Sequence, residues 1–268
     1  MCYNAGMKAV RAMMLGDLVG EPGLRVLEER LPAMIKENDV DFTVVNGENA
    51  ADGFGITEAT LKRIIAAGAD LITSGNHVWE KREFWQTMQT EERVLRPANY
   101  PEASAGRGWV CLQKAGAGWT VINLQGRDLM PAIDCPFRSF DGIAAAAGAS
   151  QIVLVDFHAE STREKEALAY YLDGRASLVA GTHTHVGTAD ERVLPKGTAY
   201  VTDLGMTGIS NSVIGMDPGI CLERMRRQVL YRMEPASDPA GSKSTAEIQG
   251  IVAEIDAESG MALSIRRL

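Results

Sequence analysis

Residues 152–185 read IVLVDFHAESTREKEALAYYLDGRASLVAGTHTH, and this stretch decides the fold. Ile152 to Val155 form a short apolar run that closes on Asp156, Phe157 and His158. Ser161 and Glu164 then stand in capping-box spacing, each side chain able to satisfy the other's backbone N–H at a helix start. The helix opened there turns Leu168, Tyr171 and Leu172 inward. A second apolar run, Leu178 to Ala180, ends on Gly181-Thr182-His183-Thr184-His185. Apolar run, amphipathic helix and apolar run together form the unit of a layered α/β fold.

The same alternation extends outward through apolar runs at 12–15, 42–45, 70–73, 120–124 and 199–201. Leu24, Leu27, Leu31, Met34 and Ile35 recur at helical spacing after Pro22, a favourable first-turn residue. Pro32 lies inside that pattern and predicts a kink or restart, because proline removes a helical N–H. Residues 104–124 read as a hairpin turning on a glycine-rich 116–118. Trp79 and Trp85 are expected to anchor a helix following Gly75-Asn76-His77, and the polar stretch 235–245 reads as a mobile loop. No repeat or linker divides the chain, so one domain is expected over 8–268. Residues 1–7 are expected to be a disordered or non-native extension, with Met7 as an alternative start.

Composition narrows the class. Among 268 residues, 27 are basic and 35 acidic, a formal charge of −8, and 46% are hydrophobic, as in a globular protein with a substantial core. No run approaches the roughly 18 apolar residues that cross a bilayer, and the N-terminus lacks the apolar segment of a signal peptide. The acidic balance argues against a groove for duplex nucleic acid, which needs clustered Lys and Arg. The densest basic patch, RMRR at 224–227, reads as a solvated helix face. Cys2, Cys111, Cys135 and Cys221 form no CxxC pair and read as reduced thiols of a cytoplasmic protein. The 27 glycines, about one residue in ten, exceed the usual share of roughly 7% and point to tight turns and close backbone approach.

The chemistry gathers just beyond the apolar runs. Gly16-Asp17 follows the first, Asn46-Gly47-Glu48-Asn49 the second and Ser74-Gly75-Asn76-His77 the third. In an open α/β sheet, ligands bind beyond the carboxyl ends of strands, so these residues can converge on one cleft with His158, His183 and His185. The chain has four histidines, and all four lie at such ends. Imidazoles grouped with Asp17 and Glu48 suit Fe, Mn, Zn or Co better than the all-oxygen preferences of Mg or Ca. Six or seven ligands exceed what one catalytic ion with an open position takes, and they suit two ions sharing a bridging carboxylate. In Thr-His-Thr-His an extended backbone would point both imidazoles one way, and a turn would send them to different ions.

At these residues the chain resembles the calcineurin-like metallophosphoesterases. Their GNH motif matches Gly75-Asn76-His77, followed here by Glu80, and their late GHxH matches Gly181–His185. The early motifs are altered to Gly16-Asp17 and Asn46-Gly47-Glu48-Asn49. Those changes, with DGFGIT at 52–57, RPANYP at 96–101, NLQGRD at 123–128, FHAE at 157–160 and DLGMTG at 203–208, resemble the bacterial 2′,3′-cyclic-nucleotide 2′-phosphodiesterase family. The resemblance runs from about residue 8 to the C-terminus. It implies a layered sandwich of two mixed sheets flanked by helices. It also implies a first metal on Asp17, Glu48, Asn49 and His185, and a second on Glu48, Asn76, His158 and His183, iron or manganese in either place. His77 is then the proton donor.

The resemblance implies hydrolysis of a cyclic nucleotide to a 3′-nucleotide. Two cations a typical ~3.5–4 Å apart would make hydroxide available at neutral pH and neutralise the phosphate oxygens, while His77 protonates the leaving alkoxide. The expected partner is a small phosphodiester, with no membrane, and a homo-oligomer is a family expectation. Two other classes stay open: a phosphatase or nuclease of different specificity, and a non-enzymatic nucleotide-sensing regulator. Asp203 reads equally as a histidine's partner or a turn cap, and Arg127-Asp128 reads as a surface ion pair.

Overall fold

The computed structural model describes residues 9–148, 151–239 and 243–268. The expectations for residues 1–7, including Met7 as a start and Cys2 as a thiol, lie outside the described residues. A strand covered on both faces needs no polar alternation, so it reads as a continuous apolar run. All seven runs are strands.

In chain order the elements begin with β1 (Ala9–Leu15), β2 (Asp17–Leu18), α1 (Gly20–Glu37), β3 (Phe42–Asn46), α2 (Glu58–Ala66) and β4 (Leu71–Thr73). A 3₁₀ turn at Arg82–Phe84 leads into α3 (Trp85–Thr90), followed by β5 (Trp109–Lys114), β6 (Ala117–Gln125) and α4 (Pro136–Ala147). Next come β7 (Ile152–His158), α5 (Thr162–Leu172), β8 (Leu178–Thr182), β9 (Arg192–Val193), β10 (Ala199–Val201) and β11 (Met206–Ile209). The chain continues through α6 (Pro218–Arg227), β12 (Ala246–Ile248), β13 (Gly250–Asp256) and β14 (Ala262–Arg267).

Two mixed sheets face each other. One has the order β14-β13-β1-β3-β4 and the other β5-β6-β7-β8-β10-β9, while β12-β11-β2 form a small third sheet. Strands β1, β3 and β4 run parallel, as do β6, β7, β8 and β10. Met14, Val44, Trp119, Leu154 and Ala180 fill the space between the two large sheets, where Phe42 stacks on Trp119 at 4.8 Å. Leu24, Leu27 and Leu31 of α1 cover the outer face of the first sheet with Met13 and Val45. Phe140 of α4 and Leu168 and Leu172 of α5 cover the second with Val155 and Val179. The expected layered sandwich of mixed sheets flanked by helices is the architecture observed.

Several local readings are corrected. Helix α1 passes through Pro32 without a restart. Pro32 is exposed, while Leu31 and Met34 beside it are buried, so packing of the apolar stripe outweighs the lost N–H. The hairpin forms, yet its turn is Ala115-Gly116, with φ of 53° and 72°, and Gly118 already pairs with Gln113 in the ladder. Two residues of positive φ match the twist of the flanking strands. Trp79 precedes the 3₁₀ turn rather than sharing a helix with Trp85. Its ring meets Tyr100 edge-on at 4.5 Å, and its carbonyl accepts from Trp85 Nε1 at 2.9 Å. Of the 235–245 stretch, residues 240–242 lie outside the described residues. Ala236 is buried, and Pro235 bridges to Met216.

Because α1 tolerates Pro32 without using it, Pro32→Ala should stabilise the protein. The restored N–H adds a helical hydrogen bond, and alanine is favoured over proline by about 3 kcal/mol in a helix interior. Urea unfolding is expected to show a raised midpoint with an unchanged slope.

Candidate metal centre

Asp17 follows β1, Glu48 and Asn49 follow β3, Asn76 and His77 follow β4, His158 ends β7, and His183 and His185 follow β8. Parallel pairing aims these ends the same way, and facing sheets bring them together. His158 Nε2 is the hub of one group. It lies 3.0 Å from Glu48 Oε1, 3.1 Å from Asn76 Oδ1 and 3.0 Å from His183 Nδ1. A second group adjoins it, with His185 Nε2 at 3.0 Å from the Asn49 amide and 3.7 Å from Asp17 Oδ1. The two groups touch where Asp17 Oδ1 is 3.9 Å from His158 Nδ1.

His77 stands apart. Its backbone N–H donates to Glu48 Oε2 at 3.1 Å, and its Nδ1 lies 3.3 Å from Glu80 Oε1. Its ring meets Phe54 edge-on at 4.9 Å. All eight residues expected at the site are therefore together, seven in the cluster and His77 at its rim.

Three acceptor oxygens of the cluster lack a hydrogen bond. Asp17 Oδ1, Glu48 Oε1 and Asn49 Oδ1 are buried and accept no hydrogen bond of good geometry. Unpaired buried carboxylate oxygens are costly, and a cation placed among them removes the penalty. The mix of carboxylate, amide oxygen and imidazole fits a transition metal. Protons partly balance the charge. Burial, which works against the ionised forms, is outweighed by the attraction between Glu48 and His158, so Glu48 is held down at about 2 and His158 is pushed up to about 9. Burial raises Asp17, and burial together with the His158 charge drives His183 down to about 3.

Neighbouring residues fix which nitrogen faces the cluster. Asp156 Oδ1 accepts from Thr182 Oγ1 at 2.7 Å, so Thr182 accepts from His158 Nδ1 at 3.0 Å and leaves Nε2 inward. Asn46 and Thr73 donate to the other Asp156 oxygen. The Ile214 carbonyl accepts from His185 Nδ1 at 2.8 Å, and Glu160 Oε2 lies 3.2 Å from His183 Nε2. Asn46, Thr73, Asp156, Glu160, Thr182 and Ile214 were not singled out as site residues from the sequence. Glu160 had the plainest signal, two residues past His158. Thr182 stands next to His183, and Asp156 stands two residues before His158.

The Thr-His-Thr-His segment turns, and its histidines part. His183 has φ 99° and His185 φ 64°, a strained left-handed backbone that sends one ring to each group. Asp203 caps this turn, accepting from Thr184 Oγ1 at 2.8 Å, from Gly205 N at 2.8 Å and from buried Lys165 Nζ at 2.7 Å. Glycine is needed at 75, where a Cβ would run into the His158 ring and the Glu48 carboxylate. Arg127 and Asp128 do not pair with each other. Both backbone N–H groups donate to Glu164, and Asp128 pairs with Arg163 at 2.9 Å on the surface.

A family model described as YmdB-like protein matches residues 13–268. The chain is 44% identical to a 2′,3′-cyclic-nucleotide 2′-phosphodiesterase of Bacillus subtilis strain 168, over 97% of this chain and 96% of that protein. Two crystal structures share the fold. A hypothetical protein from Thermus thermophilus superposes with a TM-score of 0.89 at 38% identity, covering 97% of this chain and 98% of that one. A phosphatase from Mycoplasma pneumoniae superposes with a TM-score of 0.91 at 28% identity, covering 98% and 94%.

The close approach at position 75 gives a direct test. Gly75→Ala should displace His158 and Glu48 and weaken Mn²⁺ binding, read by calorimetry. Gly142→Ala, in α4 with nothing within 4 Å of the added methyl, should leave Mn²⁺ binding unchanged.

Proposed function

The chain belongs to the YmdB-like protein family and to the bacterial 2′,3′-cyclic-nucleotide 2′-phosphodiesterase family, and on that premise we propose that it is a two-metal hydrolase opening 2′,3′-cyclic nucleotides to 3′-nucleotides. The observation carrying this reading is the pair of adjoining donor groups, with three buried acceptor oxygens that no protein donor meets in good geometry. We read the fold as the calcineurin-like metallophosphoesterase sandwich. Asp17, Glu48, Asn49 and His185 would hold one ion; Asn76, His158 and His183 would hold the other, with Glu48 bridging. The expected ions are iron or manganese, which suit this mixed shell.

Bound there, the metal pair supplies Lewis acidity toward the phosphate and a water nucleophile at neutral pH. The chain's own residues do the rest. A new P–O bond forms from water as the bond from phosphorus to O2′ breaks, and the departing O2′ takes up a proton. His77 is placed to deliver that proton from the rim of the cluster. The Glu80 carboxylate beside Nδ1 and the edge contact with Phe54 hold its ring, leaving Nε2 toward the cleft. Asp156, acting through Thr182, keeps His158 in the tautomer that ligation requires. Among the described residues no helix is long and apolar enough to cross a membrane, and Cys111, Cys135 and Cys221 are free thiols. Free thiols accord with the cytoplasm, which we propose as the compartment.

Fully loaded protein should contain two transition metals per chain by elemental analysis. Incubation with 2′,3′-cyclic AMP should give 3′-AMP on chromatography. A product that is mainly 2′-AMP would overturn the regiochemistry, and one metal or fewer would overturn the paired centre.

His77→Ala should keep both metals and lose on the order of 10²–10⁴-fold in turnover of the cyclic substrate. Its loss on a nitrophenyl diester, whose leaving group needs no proton, should be much smaller. His183→Ala should instead lose metal and activity on both substrates. Metal loss from His77→Ala with retention in His183→Ala would reverse the two roles.

A further inference from the structure

A cleft of about 330 Å³ opens between the histidines and helix α6. Glu48, Asn49, His77, His183 and His185 line one side, while Phe54, Met216, Met225 and Met233 line the other with Arg224 among them. The volume falls at the low end of the roughly 300–1,000 Å³ of small-molecule sites.

The basic cluster at 224–227 is therefore not uniformly a solvated face. Arg226 and Arg227 both pair with Glu223. Arg224 is half-buried and has no carboxylate at ion-pair distance among the described residues. On the same helix face, Cys221 is buried among Val19, Met206 and Met216, which fixes the side of α6 turned to the cleft. A guanidinium without a counter-charge, facing donors arranged for cations, calls for an anionic ligand shared between the two. Its planar fork matches two phosphate oxygens. The surrounding wall of one aromatic ring and several thioethers offers an adaptable apolar surface for a flat, polarizable ring.

We propose that this cleft is the nucleotide subsite of the centre, with Arg224 binding phosphate oxygens of the substrate and the Phe54–Met225 wall holding its base. The proposal rests on the cyclic-phosphodiesterase reading above and deepens it. It assigns substrate binding to a helix that contributes no metal-ligand candidate.

Steady-state kinetics on 2′,3′-cyclic AMP and on base-free ribose 2′,3′-cyclic phosphate separate the two parts. Arg224→Gln should raise KM for both substrates by about tenfold or more, as expected for losing a charged hydrogen bond, with kcat changed much less and metal content intact. Arg224→Lys should recover part of the loss, and Arg226→Gln should match the parent protein. Phe54→Leu and Met225→Ala should raise KM for the adenosine substrate alone. An unchanged KM in Arg224→Gln would overturn the phosphate role, and equal effects of the wall variants on both substrates would overturn the base role. If the parent protein turns over neither cyclic substrate, the functional reading itself fails. Titration with inorganic phosphate then decides the subsite: weaker binding by Arg224→Gln supports the anion site, and equal binding overturns it.

Discussion

Three acceptor oxygens, on Asp17, Glu48 and Asn49, are buried together without a well-placed donor, and much of the molecule is arranged around that constraint. A fold relying only on hydrogen bonds would gain little by collecting them, because a buried polar atom left without a hydrogen bond is costly. Their convergence becomes favourable when positive charge lies among them. Without an ion a protonated His158 supplies some of it, and a bound cation would displace that proton from Nε2 and supply more. Two facing sheets suit the task. Each delivers the carboxyl ends of parallel strands to one edge of the sandwich, so residues far apart in sequence meet without any long loop.

Holding such a site demands rigidity beneath it, and two buried polar networks provide it. In one, Asp156 is fully buried between the sheets, pushed up to about 6 by that burial, and receives Thr182, Thr73 and Asn46. It thereby ties β3, β4, β7 and β8 together directly behind His158. In the other, Lys165 of α5 reaches Asp203 under the turn that carries His183 and His185. The outer helix layer is thus linked to the strained left-handed backbone, whose cost of about 1–3 kcal/mol per residue needs surrounding structure to sustain it. A buried ion pair adds little net stability by itself, yet removing one partner strands the other, so this pair fixes geometry more than it adds stability.

Much of this was legible in the sequence, and the reasons are physical. Strands covered on both faces keep continuous apolar runs, so the seven runs located the sheet cores and their polar ends located the site. Strands β13 and β14 were not singled out: β14 lies at a sheet edge, and after Ala262 none of its residues is buried. The hairpin was visible, but its turn was displaced because Ala115 adopts a positive φ that alanine does not advertise. The restart read at Pro32 is absent, since local propensity yields to the packing of Leu27, Leu31 and Met34. Thr182, Asp156 and the Ile214 carbonyl were missed because they act through another residue, and a threonine or a backbone oxygen carries no distinctive spacing. Arg224 was absorbed into a basic run. Only the orientation of α6 separates it from Arg226 and Arg227.

The four histidines, identical in the sequence, are graded by burial in the fold. The His158 side chain is 0% exposed, His185 6%, His183 21% and His77 29%. A ligand gains from burial, because exclusion of water strengthens its bond to a cation and fixes one tautomer through a neighbour such as Thr182 or the Ile214 carbonyl. A proton donor has the opposite requirement. It must recover its proton from solvent after every turnover, so a sealed position would disable it. His77 is the most exposed of the four. It approaches the cluster through its backbone N–H to Glu48, while its ring is turned to Phe54, Glu80 and the open cleft. Its burial therefore fits the proposed donor, as the burial of His158 and His185 fits the proposed ligands.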